Sequence, residues 1–533
     1  MGGVAGAIAA LLLEPSPWSL LGGAAAALLL WWAVRMMEWA WWAPRRMERA
    51  LRAQGLGGTE YRFLRGDLRE EQGLKAAALA RPMPMDQPHD VGPRVLPLLH
   101  RVYQAHGKLS FTWFGPTPRI TITDPELVRE VLSNKSDHFE KPKLPARLVK
   151  LLIGGILILE GEEWVHRRRL MNPAFHAEKL KAMLPAFSTS CSELIGRWES
   201  LAATSIGPAE LDVWPEFKNL SGDVISRTAF GVGCQEGRRI FVLQAEQAER
   251  VVQSLKTSYI PGFSLLPTRN NRRMKAIDRE IKTILRGIVE KRQKAMEKGE
   301  ANSVDLLGLL LESNMNCRNS DGKSGKGITV DEVIEECKLF YFAGMETTAI
   351  LLAWIMVVLS MHPEWQDRAR EEVLQVFGKN KPDFSGISRL KIVTMVVNEV
   401  LRLYSPAVSL TRRTCKQTQL GGVSYPAGVM LLLPMIFIHR DPDLWGDNSG
   451  EFNPGRFAEG VSKACSDPGA FVPFSWGPRV CIGQNLALVE TKVAISMILQ
   501  RFTFELSPAY VHAPYTVLSL QPQHGVPVRL HRL

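Results

Sequence analysis

The chain has 533 residues, 46% apolar and 22% charged, a balance that excludes a disordered or low-complexity polymer and allows a large buried core. Sixty-five Lys and Arg against 54 Asp and Glu leave a formal charge of +11. The basic residues are scattered and not interleaved with aromatics, so a basic docking face is expected and no nucleic-acid partner. Seven widely spaced cysteines, with no CxxC or His-rich cluster, exclude a disulfide framework and a zinc site and fit a reducing compartment.

Glu14 is the only charged side chain among the first 34 residues. From Ser16 to Val34 runs an apolar stretch that spans about 29 Å as a helix, the thickness of a bilayer core. Arg35, Arg45, Arg46, Arg49 and Arg52 follow it, and Trp31, Trp32, Trp39, Trp41 and Trp42 crowd the same end, as interfacial aromatics do. The positive charge lies after the apolar run and no small-residue cleavage site follows, so residues 1–43 read as one uncleaved transmembrane anchor. Positive-inside logic leaves the remainder in the cytosol. Residues 44–97 read as a linker ending in the proline-rich connector RPMPMDQPHDVGPRVLP, and residues 98–533 as one large domain, mainly α with small β-sheets.

Within that domain, two β-like runs flank a Gly-Pro turn near 109–122, and Asp124-Pro125 opens a helix. Helical pattern dominates from about 160 to 315, and residues 313–329 read as a polar loop. Thr329 and Glu332 have capping-box spacing, and apolar helical sequence then continues without proline to Met361. Short strand-like pieces return near 406–436 and 515–530.

The stretch PFSWGPRVCIG places Cys481 just before an apolar-periodic helix. A helix N-terminus stabilises thiolate through its unpaired N–H groups and dipole. Gly477 and Gly483 let the backbone approach a flat ligand, Phe474 packs beside the sulfur, and Arg479 offers a fixed charge for a ligand carboxylate. With no histidine nearby to act as a base, the pattern describes a haem-iron thiolate better than a nucleophile. Upstream, AGMETT interrupts the long apolar helix. Glu346 and Thr347 are costly there without partners. Thr347 is placed to bond the Ala343 carbonyl and bend the helix, and Gly344 widens the groove for a small ligand.

FSWGPRVCIG matches in full the haem-loop pattern Phe-x-x-Gly-x-Arg-x-Cys-x-Gly, and the chain resembles the cytochrome P450 monooxygenases. The resemblance implies the P450 fold, haem b with Cys481 as axial thiolate, Arg479 on a haem propionate, and AGMETT over the distal face. There Thr347 and Glu346 are the catalytic pair that supplies protons to bound oxygen. It also implies a buried ion triad of Glu399, Arg402 and Arg456, the last in PGRF where the family usually has PERF. Trp164 and Arg168 in WVHRRR, with Arg413 in LTRRTC, stand where the family contacts the propionates. The position before that arginine, often histidine, is Arg167.

No GxGxxG or Walker A loop is present; GVGCQEG has the wrong spacing. Electrons must then come from a partner, which the resemblance makes the membrane-bound NADPH–cytochrome P450 reductase of the endoplasmic reticulum, docked on basic residues such as Arg167 and Arg169. HFEKPKL, RRLMNPAFHAEKLK, YIPGFSLLPT and DLLGLLLESN look like the plant clan that includes secologanin synthase, whose members oxidise gibberellins, triterpenoids, brassinosteroids, cytokinins and herbicides. Segments near 138–158, 240–262, 340–347, 406–411 and 515–524 are expected to meet the substrate. Their apolar character fits a lipophilic, terpenoid-type molecule, and ordinary core packing explains it equally well. The expected reaction inserts one oxygen atom from O2. The alternatives are an oxygen-independent haem-thiolate isomerase or dehydratase, and a hydroxylase of fatty acids or other hormones.

Overall fold

A computed structural model describes residues 17–133, 137–142, 150–205, 207–231, 234–255, 260, 266–299, 305–319 and 328–533. Helix α1 (Pro17–Met37) runs through a π turn (Glu38–Trp42) into α2 (Ala43–Ala53). The apolar side chains of α1 are exposed, Trp18, Leu28, Leu30 and Trp31 among them. The helical run from Leu20 to Ala53 is long and apolar enough to cross a membrane.

Residues 44–97 are not the linker that the sequence suggests. Leu51 is fully buried, and β1 (Gly57–Gly58) pairs in parallel with β2 (Leu109–Phe114). Tyr61 packs on Trp113, and Arg94 is buried, its Nε donating to the Pro514 carbonyl at 2.9 Å. Burying Leu51 and Tyr61 removes enough apolar surface from water to fix this segment on the sheet. Of the connector prolines, Pro93 and Pro97 occupy helix-opening positions, where their missing N–H is not needed.

β2 and β3 (Thr117–Ile122) form an antiparallel hairpin around the expected Gly-Pro turn. Asp124 caps the following helix by accepting from the Leu127 N–H at 3.0 Å. These strands join β4 (Phe139–Glu140), β6 (Leu410–Thr414) and β9 (Met430–Leu433) in one six-stranded mixed sheet ordered β1-β2-β3-β9-β6-β4. Three smaller sheets complete the β structure of the described residues. β5 (Ala209–Asp212) pairs with β13 (Pro527–Arg532), which also pairs with β10 (Phe502–Leu506); β7 (Thr418–Leu420) pairs with β8 (Val423–Tyr425), and β11 (Pro514–Thr516) with β12 (Leu520–Pro522).

The rest is helical: α3 (Gly161–Met171), α4 (Ala177–Thr204), α5 (Val213–Phe230), α6 (Cys234–Leu255), α7 (Arg269–Glu297), α8 (Val330–Met361), α9 (Ile392–Leu403) and α10 (Gln484–Leu499) carry the core. The span from Leu306 to Asn319 is helical too, so the first half of the expected polar loop is not loop; residues 320–327 lie outside the described residues. α8 begins at the expected capping box. Thr329 Oγ1 accepts from the Glu332 N–H, and the Glu332 carboxylate accepts from the Thr329 N–H at 2.7 Å. Every residue from Thr348 to Leu359 is buried. α8 is apolar enough to cross a membrane by composition but lies at the centre of the protein, against α5, α7 and α10.

Candidate functional site

The Cys481 loop is built by backbone geometry. Gly477 sits at φ +72°, where a Cβ would lie 2.6 Å from the Leu132 carbonyl oxygen, so glycine is required. Ser475 also takes a positive φ, of 70°. Gly483 does not: its φ is −89°, and a Cβ there would enter open space. The positive-φ turn of this loop therefore belongs to Gly477 and Ser475. The Cys481 N–H donates to the Phe474 carbonyl at 2.9 Å, closing the loop at the start of α10.

Burial pushes the pKa of Cys481 up, while the backbone of Gly483, the charge of Arg168 and the backbone of Gln484 favour its thiolate form. A cysteine at a helix N-terminus whose neighbouring backbone and arginine favour the thiolate has the character of a metal-binding thiolate. Arg168 holds the same turn: its guanidinium donates to the Val480 carbonyl and to Asn172 Oδ1, each at 2.8 Å.

Beside the loop is a group of cations. Arg479 lies 4.4 Å above the Trp164 ring, donates to the Leu159 carbonyl at 3.1 Å, and pairs with Glu160. Lys141 and Arg412 share this neighbourhood. Burial, then the charges of Arg479 and Arg412, push Lys141 down to about 7; burial and Arg479 push Arg412 down to about 10. Among the described residues, Glu160 is the one carboxylate whose charge acts on all three. Three half-buried or buried cations sharing one carboxylate form a site that is short of negative charge.

Arg413 is not in this group. Strand β6 alternates, so Arg412 is buried and Arg413 turns to the opposite face, where its guanidinium lies 3.7 Å from Glu140. Arg167 also departs from expectation. It is buried and pairs with Glu336 at 3.0 Å and with Glu332, so it offers nothing to a docking partner, whereas Arg169 is exposed. Glu336 in turn accepts from the Ile156 N–H at 2.9 Å, and burial raises it to about 7.

On α8, Thr347 is exposed and its hydroxyl donates to the Ala343 carbonyl at 2.8 Å. A Cβ on Gly344 would sit 2.8 Å from Ile225 Cδ1, so its missing side chain admits α5. Glu346 is buried and accepts from Ser519 Oγ at 3.0 Å and from Gln521 Nε2, both on Oε1. Burial raises its pKa.

Glu399 and Arg402 are joined by two 2.8 Å hydrogen bonds and are completely buried; Arg456 Nε reaches Glu399 at 3.2 Å. Arg402 also donates to the carbonyls of His439, Ser449 and Glu451, and Glu399 accepts from the Asn453 N–H. With so many partners met inside the protein, the three side chains form a structural knot beneath the loop that leads to Cys481.

The family described as "Cytochrome P450" matches residues 93–523. The chain belongs to the cytochrome P450 family. Among its relatives, "Cytochrome P450 CYP72A616" of Paris polyphylla is 57% identical over 530 residues, covering 99% of both chains. "Cytochrome P450 72A397" of Kalopanax septemlobus is 51% identical, covering 94% of this chain and 96% of its own. The "7-deoxyloganic acid hydroxylase" of Catharanthus roseus is 48% identical, covering 95% and 97%. In fold, the chain matches "Retinoic acid bound cyanobacterial CYP120A1" with a TM-score of 0.73 at 21% identity, covering 90% of this chain and 99% of that one.

As a cytochrome P450, the protein is a haem-thiolate monooxygenase, whose cofactor is held by a cysteine thiolate. The residues present fit that group: a thiolate donor at a helix N-terminus and, close by, a cation surplus suited to two carboxylates. Two members of that surplus, Lys141 and Arg412, were not selected from the sequence. Lys141 stands in the quoted HFEKPKL, and Arg412 is one residue from the arginine chosen.

Proposed function

We propose that this cytochrome P450 oxidises a lipophilic small molecule of terpenoid type with O2 and with electrons passed from NADPH by a separate reductase. Cys481 would supply the thiolate that holds the haem iron, and its place at the N-terminus of α10, on the loop closed by its N–H to the Phe474 carbonyl, is the observation that carries the assignment. Lys141, Arg412 and Arg479 would receive the propionates, with Trp164 stacked on Arg479 and Arg168 securing the turn at Val480. Haem b supplies O2 activation and one-electron chemistry when bound. The protein's part is to hold substrate, exclude water and deliver protons, with Thr347 at the exposed face of α8 and Glu346, held by the β11–β12 hairpin, as the acid. Glu399, Arg402 and Arg456 are structural.

Support for a terpenoid comes from the relative named for 7-deoxyloganic acid and from the apolar β11–β12 segment. The apolar helix α1, with arginines and tryptophans at its end, supports a single-pass anchor in the endoplasmic reticulum membrane. The catalytic part then faces the cytosol, and exposed Arg169 is a reductase contact.

Cys481→Ala should abolish the carbon monoxide difference spectrum of thiolate-ligated haem; a normal spectrum refutes the ligand. Microsomes containing this protein and a plant reductase should convert at least one member of a panel of 7-deoxyloganic acid, gibberellins and triterpenoids, with NADPH required. Conversion confined to fatty acids refutes the terpenoid reading. Thr347→Ala should lower product while NADPH drains into peroxide; an NADPH-independent product would point to the isomerase or dehydratase alternative.

A further inference from the structure

Glu346 and Thr347 are consecutive on α8 and so leave the helix about 100° apart. The two groups point to different surroundings. The Thr347 hydroxyl returns to its own helix. The Glu346 carboxyl is drawn away to the β11–β12 hairpin, about 170 residues downstream, by Ser519 and Gln521. Gln521 is itself held: its Oε1 accepts from the Tyr515 hydroxyl at 3.1 Å, and Tyr515 faces Gln521 across the hairpin register. The hairpin cannot drift freely. Trp354 Nε1 on α8 donates to the Leu520 carbonyl at 2.8 Å, and the Leu520 N–H donates to the Pro406 carbonyl at 3.0 Å.

Both recorded hydrogen bonds to Glu346 meet the same oxygen, Oε1. They favour the carboxylate, as does Lys218 on α5, while burial opposes it. On the hairpin side the titratable neighbour is Tyr515, which also senses Glu249 of α6. The acid of α8 is therefore governed by the segment that the sequence assigns to substrate contact.

We propose that Gln521, assisted by Ser519, is a positioning residue that fixes where the Glu346 carboxyl lies and thereby controls proton delivery. The inference rests on the monooxygenase reading with Glu346 as the acid. When delivery fails, each wasted turnover converts NADPH, a proton and O2 into NADP⁺ and H2O2, which makes the effect measurable without knowing the natural substrate.

The test uses full-length protein in microsomes with a plant NADPH reductase, without added substrate and with 7-deoxyloganic acid as probe. H2O2 formed per NADPH consumed is recorded against pH for the wild type and for Gln521→Leu, Ser519→Ala, Tyr515→Phe and Glu346→Gln. Gln521→Leu should raise the peroxide fraction several-fold and move the midpoint of its pH profile upward, because a donor that favours the carboxylate is gone. Tyr515→Phe should move it less, and Glu346→Gln should flatten the profile. Where Gln521→Leu loses the carbon monoxide spectrum of the intact protein, Gln521→Asn and Ser519→Ala supply the same readout. Superimposable fractions and midpoints for the wild type and these variants overturn the inference. A wild type with neither that spectrum nor NADPH consumption overturns the monooxygenase reading instead.

Discussion

Lys141 gives the sharpest quantitative expectation. Its ordinary value of 10.5 falls to about 7 beside Arg479 and Arg412, a difference worth about 5 kcal/mol between protonation states. That figure is an upper bound, because Lys141 is only partly shielded from water. A bound dicarboxylate reverses the imbalance and restores the proton. Between pH about 7 and 10 haem binding should therefore take up a proton, so affinity falls as pH rises; below about 7 the lysine is charged with or without haem and the slope vanishes. The ideal slope is about tenfold per pH unit, and solvent screening reduces it to roughly three- to tenfold. Partition of haem between this protein and apomyoglobin, followed across that range, measures it directly. Lys141→Met should bind haem less tightly at pH 7 and lose most of the slope. A wild type with no pH dependence between 7 and 9, or a Lys141→Met variant that keeps it, would refute the reasoning.

Arg412→Ala should lower haem content well below that of Arg413→Ala, because only Arg412 faces the cation cluster; equal haem-to-protein ratios would reverse that assignment. Glu399→Gln strands Arg402 and Arg456 and should cost about 3–5 kcal/mol, read as loss of the carbon monoxide spectrum on graded heating. Gly344→Ala should destabilise by about 1–3 kcal/mol through collision with Ile225, and the loss should shrink in the Gly344→Ala/Ile225→Val double variant; an equal loss in both backgrounds removes Ile225 as the cause. Glu336 is raised to about 7, so the folded protein holds its proton more tightly than the unfolded chain and stability falls as pH climbs from about 4.5 to 7. Arg167→Leu raises Glu336 further, so its melting temperature should drop more at pH 8 than at pH 6.

The parts legible in sequence are those whose signal is local. The Cys481 loop carries its motif in eleven residues, and the α8 capping box and the i,i+3 pair Glu399–Arg402 each lie within one turn. What escaped depends on distant register. Whether Arg412 or Arg413 faces inward is decided by the pairing of Leu410 with Leu433, which neighbouring arginines cannot announce. Arg167 looked like a surface cation because its partner Glu336 lies 169 residues away. The Glu346 carboxyl looked adjacent to Thr347, and only the hairpin shows that the two diverge. Residues 44–97 read as a linker since their apolar side chains are sparse, yet Leu51 and Tyr61 are enough to attach them to the sheet.

The π turn at Glu38–Trp42 joins α1 to α2 without a break, and it is itself docked. The Tyr61 hydroxyl donates to the Ala40 carbonyl, Trp41 meets Phe63 edge-on at 5.7 Å, and Arg45 stacks over Trp41 at 3.9 Å. The apolar helix is thus continuous with a docked segment of the folded body and not joined to it by slack chain. A lipid bilayer gripping it would dictate the tilt and height of the whole enzyme, and with them the direction from which an oily substrate arrives. Solubilised versions trimmed at residue 43 would sever that strut at its bearing, whereas trimming at Met37 leaves the bearing whole.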